Sequence, residues 1–162
     1  MREDATTTET VLEELSRAST DGTSESNSLD ASGATDQVER EFDELLSEVD
    51  GALPTDEVRF DDAIVKENVE EILLMLIAFR EESHGEQLIS DVARFFETEL
   101  SPGTIYPSLH DLEEEDVLSM HAKVRTKEYS VADEEFVRST LERSMIQHLA
   151  FGLLMYAYLS RY

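Results

Sequence analysis

Between residues 105 and 131 the apolar residues change their spacing, and that change limits the possible folds more than any other feature. Ile105, Leu109 and Leu112 recur at intervals of four and three, which places them on one face of a helix. From Leu118 the interval drops to two. Leu118, Met120 and Ala122 alternate with Ser119, His121 and Lys123, and then Lys127, Tyr129 and Val131 alternate with Glu128 and Ser130. Alternation of this kind belongs to strands with one buried face. Folding the two runs together with a tip at Val124-Arg125 sets Met120 opposite Tyr129 and Leu118 opposite Val131. Val-Arg is poor chemistry for a two-residue turn, so a wider tip also fits.

Helical patterns surround this hairpin. In DDAIVKENVEEILLMLIAFREE (61–82), Val65, Val69, Ile72, Leu73, Leu76 and Ile77 form one apolar stripe. SHGE (83–86) has the form of a capping box, Ser83 with Glu86 three residues on, and opens a helix with Leu88, Val92, Phe95 and Phe96 on one side. Ser101-Pro102 is a cap followed by proline, a strong start for the helix that carries Ile105. Pro107 removes one backbone hydrogen bond from that helix, and a local distortion is expected there. After the hairpin, Asp133 is a candidate cap for a long helix, EEFVRSTLERSMIQHLAFGLLMYAYLSRY. Three helices, a hairpin and a helix are the order of a winged helix-turn-helix. The expected fold class is mainly α with a small β-hairpin wing, an α+β arrangement.

The boundaries follow from composition. Residues 1–36 are dominated by Thr, Ser, Asp, Glu and Gly and cannot bury enough apolar area to offset their ordering entropy, so they read as a disordered acidic tail. Residues 37–60 read as a short amphipathic helix and a linker. Asp36 would cap it, Val38, Phe42, Leu45 and Val49 would share its face, and Asp50-Gly51 and Pro54 would end it. Residues 61–132 form the expected winged helix-turn-helix domain, and 133–162 the C-terminal helix.

Charge then sets the problem of function. The chain carries 38 acidic and 13 basic residues, a formal net charge of −25, and only three of its bases are lysine. There are 17 acids against 4 bases up to residue 60 and 21 against 9 beyond it, so the two parts carry −13 and −12. Acidity spread through the ordered part differs from the blocks of an acidic tail. It fits a protein working in molar salt, where a Debye length of about 3 Å screens self-repulsion. A halophilic, archaeal, cytoplasmic source is the expectation.

Against that background two places stand out. The helix from Ser101 turns Gly103, Thr104, Pro107, His110, Asp111 and Glu114 outward, with Tyr106 and Ser108 on its flanks. Small hydrogen-bonding residues and a glycine at a helix start suit close approach to base edges, and the helix dipole favours phosphate there. The hairpin carries Lys123, Arg125 and Lys127 against Glu128, a net +2 in a chain negative elsewhere, with the bases at or beside the tip. A wing tip lies against phosphates or in the minor groove, where positive charge belongs.

HGEQL (84–88), SPGTIYPSLHDLEEEDVL (101–118) and KEYSVAD (127–133) together resemble the phenolic acid decarboxylase regulator (PadR) family of transcription factors. His84-Gly85, the run Gly103-Thr104-Ile105-Tyr106-Pro107, Leu109, Leu112-Glu113 and Tyr129 carry the resemblance, over about residues 62 to 133. Asp116 stands where that family has glycine, so the turn into the wing is expected to differ in detail. The resemblance implies a dimeric DNA-binding regulator with a C-terminal dimerisation helix. The residues agree: Met145, Leu149, Gly152, Leu153 and Tyr156 form one apolar stripe, and Ile146, Ala150, Leu154 and Ala157 a second. A helix apolar on two faces asks for a second subunit, or for the 37–50 helix of its own chain.

The sequence-level reading is thus a homodimeric, sequence-specific regulator of transcription bound to double-stranded promoter or operator DNA. Its DNA-binding residues would be Ser101, Gly103, Thr104, Tyr106, Pro107, Ser108, His110, Lys123, Arg125 and Lys127, with Arg94 as a further phosphate contact. The alternative is an acidic winged-helix interaction module that does not touch DNA. No enzyme is expected, since neither a glycine-rich phosphate loop nor a nucleophile elbow occurs. No cofactor or metal is expected either: cysteine is absent and His84, His110, His121 and His148 lack ligand spacing. The run MIQHLAFGLLMYAYL (145–159) spans about 22 Å as a helix against a bilayer core of about 30 Å, so no membrane partner is expected. MREDATTTET lacks the apolar run of a signal peptide. A small-molecule effector, if there is one, leaves no signature.

Overall fold

The structure, a computed structural model, describes residues 31–54 and 58–162, with side chains from residue 33. It divides into two compact units, residues 1–59 and residues 60–162. The acidic tail before residue 31 lies outside the described residues.

In the first unit, helix α1 spans Ala31–Ala52. It starts five residues before the expected cap, because Ala31 and Ala34 propagate a helix at little cost, and Asp36 becomes an interior residue. Its carbonyl accepts from Arg40 Nε at 3.2 Å. On the expected apolar face Phe42 is buried and Val38 and Val49 are half-buried, whereas Leu45 is exposed. Gly51 is still helical, and the chain leaves the helix only ahead of Pro54, which disfavours helical geometry in the residue before it. Asp50 Oδ1 then accepts from the Val58 backbone N–H at 2.8 Å.

In the second unit the long apolar stripe is two helices rather than one, α2 (Asp62–Glu67) and α3 (Val69–Arg80). Asn68 interrupts them with φ −119° and ψ 30°, and its side-chain amide donates to the Ile64 carbonyl at 2.8 Å. Asparagine competes with the helix ladder in this way by offering a local partner. Val69, Ile72, Leu73, Leu74, Leu76 and Ile77 of α3 are all buried, which makes it the central helix of the unit. Its neighbours are α4 (Gly85–Phe96) and α5 (Pro102–Glu114), which bury Leu88, Val92, Phe95 and Phe96, and Ile105, Leu109 and Leu112 respectively. Pro107 does not break α5. The carbonyl it leaves without a donor is that of exposed Gly103, which faces solvent.

The hairpin forms with the expected register. Strands β2 (Leu118–Ala122) and β3 (Lys127–Val131) pair Leu118 with Val131, Met120 with Tyr129 and Ala122 with Lys127. The Lys123 N–H donates to the Thr126 carbonyl at 2.8 Å, which leaves Val124-Arg125 as the tip. A third strand, β1 (Ser83–His84), was not visible in the pattern because two residues carry no period; it pairs with β3, Ser83 with Tyr129 and His84 with Glu128, giving the order β1-β3-β2. This strand also corrects the capping box. Ser83 is buried in the sheet, so the cap moves to His84, whose Nδ1 accepts from the Gln87 N–H at 3.3 Å.

Three acidic residues take positive φ: Glu81 at 67°, Glu97 at 53° and Asp116 at 58°. Asp116, which opens the turn into the wing, therefore takes the conformation that glycine adopts most easily. The Val117 N–H reaches back to the Leu112 carbonyl at 3.0 Å. Asp133 caps the last helix, α6 (Glu134–Leu159), its Oδ1 accepting from the Phe136 N–H at 2.9 Å.

Candidate nucleic-acid interface

Helix α5 is held from below by its apolar face and from the side by one close contact. A Cβ added at Gly85 would lie 2.5 Å from the Tyr106 ring. The ring of α5 therefore rests on the first residue of α4, and only glycine leaves room for it. Behind this contact a buried ion pair ties α3 to α4. Arg80 donates from Nε to Asp91 Oδ2 at 2.6 Å and from Nη2 to Oδ1 at 2.8 Å, and Gln87 Nε2 adds a bond to Oδ1 at 2.9 Å. Asp91 is 1% exposed, so its charge is balanced by a two-pronged guanidinium and an amide rather than by water.

The exposed side of α5 begins with Ser101, Gly103, Tyr106, Pro107 and His110. Thr104 and Ser108 are half-buried and already engaged. Ser101 Oγ lies 3.3 Å from Thr104 Oγ1, and Ser108 Oγ donates to the Thr104 carbonyl at 3.1 Å. His110 sits between two carboxylates of its own helix, 3.7 Å from Glu113 and 3.3 Å from Glu114. The far end of the helix is acidic. Asp111 and Glu115 contribute to raising the Glu70 carboxyl above its ordinary pKa, after its own burial and the neighbouring Glu71. Beneath, burial pushes the Tyr129 phenol up, helped by the Glu113 carboxylate and by Tyr106.

The three wing cations are not equivalent. Lys123 Nζ lies 3.3 Å from Glu82 Oε1, whereas no carboxylate among the described residues pairs with Arg125 or Lys127. Between Lys123 and Arg125, Val124 is fully exposed. Arg94, on α4, lies over the Phe95 ring at 5.6 Å. Sequence reasoning missed Glu82, Gly85, Val124 and the Arg80–Asp91 pair. Gly85 left a signal in the His-Gly pair that accompanies the Tyr-Pro run, and Val124 in the poor turn chemistry of Val-Arg at the tip; Glu82 and the Arg80–Asp91 pair left none.

Helix α6 is buried only near its cap. Val137 is its only buried residue among those described. Met145, Gly152, Leu153 and Tyr156 are exposed and Leu149 is half-buried, and the second stripe is exposed as well, with Leu154 at 64%. No helix among the described residues is long and apolar enough to cross a membrane, and none of their His, Asp and Glu side chains form a group that could hold a metal.

A helix-turn-helix with a cationic hairpin beside its second helix defines a winged helix, and residues 73–134 match the model of the "Transcriptional regulator PadR-like family". The segment is a winged helix-turn-helix whose sequence is similar to that family. Over 116 residues the chain is 38% identical to "Transcriptional activator GvpE1" of Halobacterium salinarum, covering 71% of this chain and 61% of that protein. It is 36% identical over 116 residues to "Transcriptional activator GvpE" of Haloferax mediterranei, covering 71% and 60%. Both come from halophilic archaea, and the chain spans about three-fifths of the length of these relatives. Among solved structures, a "PadR-like Transcription factor from bacteroid fragilis" aligns with a TM-score of 0.48 at 18% identity, over 59% of this chain and 93% of that one.

Proposed function

We propose that the chain is a homodimeric, sequence-specific DNA-binding regulator of transcription that works at high salt, and that it activates, as the names of its relatives say of them. The observation that carries this reading is the pairing of two surfaces. The first turns of α5 present Ser101, Gly103, Tyr106 and His110 to solvent, and the adjacent wing tip carries Arg125 and Lys127 without a carboxylate partner among the described residues. Docked, α5 enters the major groove by its N-terminal turns and the wing lies along the backbone or in the minor groove. Residues 61–132 are then the DNA-binding domain and 133–162 the dimerisation helix. The stripe of Met145, Leu149, Gly152, Leu153 and Tyr156, exposed but for half-buried Leu149, is covered by the same stripe of a second copy, since a two-fold contact is self-complementary.

An acidic protein gains little from counterion release, which in ordinary regulators makes affinity fall steeply with salt. Here few basic contacts dock the domain, and cations lie between its carboxylates and the phosphates. Base readout rests on Tyr106 and His110, on Thr104 and Ser108 once their local bonds exchange, and on DNA shape. The test is a mobility-shift titration on a promoter fragment across a KCl series, with sedimentation of the protein alone alongside. The expected result is a dimer whose affinity is flat or rises with KCl. A monomer, or a steep fall like that of a lysine-rich regulator, refutes the corresponding part.

The acidic second half of α5 favours one rival, a winged helix that presents carboxylates to a basic protein. Changing Lys123, Arg125 and Lys127 to glutamate separates the two. Promoter binding is lost under the first reading, and function is untouched under the second.

A further inference from the structure

The most exposed side chain of the wing is apolar. Val124 has 102% of its reference accessibility, at the tip of a hairpin closed by the Lys123–Thr126 bond. Two separate considerations mark it. Turn tips favour Asn, Gly and Asp, and a β-branched residue there runs against local preference. Departures from local rules without a packing reason gather at functional positions, and Val124 packs against nothing. It is also flanked by Lys123 and Arg125, so its surroundings draw phosphates towards an apolar point.

We infer that Val124 is a minor-groove probe: the wing presses it towards the floor of the groove while Arg125, with which no carboxylate among the described residues pairs, takes the adjoining phosphate rail. This rests on the reading of the domain as a DNA-binding one and adds a specificity-determining residue to it. The minor groove is about 6 Å wide and about 7.5 Å deep, too narrow for a hairpin to reach its floor, so the valine arrives there only where a base step opens and the groove widens. An apolar group there makes no hydrogen bond and reads instead the ease with which a base step opens. Pyrimidine–purine steps unstack most readily. Guanine, whose amino group projects into this groove, is disfavoured beneath the valine. The wing then selects a deformable, A·T-containing step at a fixed offset from the bases read by α5.

The test uses the full chain and a duplex recovered by that chain from a random-sequence pool in molar KCl. Val124→Ser and Val124→Ile are compared with Arg125→Glu for affinity, salt dependence and the step chosen beneath the wing. Because Val124 touches nothing in the folded chain, its variants keep the wild-type melting temperature, which circular dichroism checks. Val124→Ser is expected to weaken binding about tenfold, the scale of losing a buried valine contact, with an unchanged salt slope and a flattened preference at that step. Val124→Ile is expected to keep both. Arg125→Glu changes the slope of log affinity on log salt by about one or more. If Val124→Ser binds as wild type while Arg125→Glu is weakened, the inference is overturned and the DNA-binding reading stands. If the wild-type chain recovers no duplex at all, that reading falls and takes the inference with it.

Discussion

Substituting alanine for Gly85 tests how the helix-turn-helix is held together. The new methyl would lie 2.5 Å from Cζ of Tyr106 and 2.6 Å from its Cε1 and hydroxyl oxygen. Carbon atoms settle at about 3.5–4.0 Å, so the ring or the methyl must yield by about 1 Å or more. The ring is 40% exposed and can swing outward, but only by leaving its present rotamer. Its neighbour Ile105 is fully buried, which fixes α5 at that level, and an off-rotamer swing of the ring costs about 0.5–1.5 kcal/mol. Overpacking of this kind typically costs about 1–3 kcal/mol. Residue 85 opens its helix, so the better helix propensity of alanine offsets little of that. For a unit of this size a loss of about 2 kcal/mol lowers the melting temperature by roughly 8–16 °C. The diagnostic is a double-mutant cycle in molar KCl followed by circular dichroism. Tyr106→Ala alone loses a half-exposed ring, but with the ring gone Gly85→Ala has nothing to strike. The double variant is expected to melt close to Tyr106→Ala, with a coupling of about 1–3 kcal/mol. Additive losses, or a Gly85→Ala variant that melts within a degree or so of wild type, would refute the argument that this contact sets the glycine.

Asp91→Ala leaves the buried Arg80 guanidinium without its partner and is expected to cost about 3–5 kcal/mol in urea unfolding, against a small fraction of that for an exposed pair such as Arg138–Glu142. Glu70 has a folded-state pKa raised by burial and by Glu71, Glu115 and Asp111, so the folded chain holds its proton more tightly than the unfolded one. The sign follows from linkage: stability from this group rises as pH falls through the raised value and is lost above it. Glu70→Gln is therefore expected to gain a few tenths of a kcal/mol at neutral pH in dilute buffer and to keep only the burial part of that gain in molar KCl, where the repulsion is screened, measured by thermal melts at both salts. Glu82→Gln releases Lys123 from its 3.3 Å partner. It is expected to tighten duplex binding by a factor of a few and to steepen the salt slope by about one; an unchanged slope would mean that Lys123 never meets a phosphate.

The sequence disclosed those parts of the fold in which apolar residues repeat. The faces of α4 and α5, the register of β2 with β3 and the Asp133 cap were all legible, because period and cap chemistry act over a few neighbouring residues. What escaped depends on partners distant in the chain. Strand β1 is too short to show a period and exists because β3 offers it an edge. The capping box at Ser83 was a sound local signal overruled by that pairing, which buries the serine and hands the cap to His84. The break at Asn68 was hidden because the apolar stripe runs unbroken across it while the backbone does not. For the candidate interface, the wing cations were legible as charges, but not that Glu82 engages one of them. Tyr106 was taken for a reader of bases, and its ring also spaces α4 from α5.

The two-residue strand has a consequence out of proportion to its length. Backbone bonds join the wing to the chain immediately ahead of α4, so the hairpin is tied to the helix-turn-helix through the main chain as well as through side chains. A jointed wing would adjust its reach to each duplex it met. If the domain docks on DNA as proposed, this one works as a caliper whose jaws are set during folding, accepting only DNA whose successive grooves already stand, or can be bent to stand, at that opening.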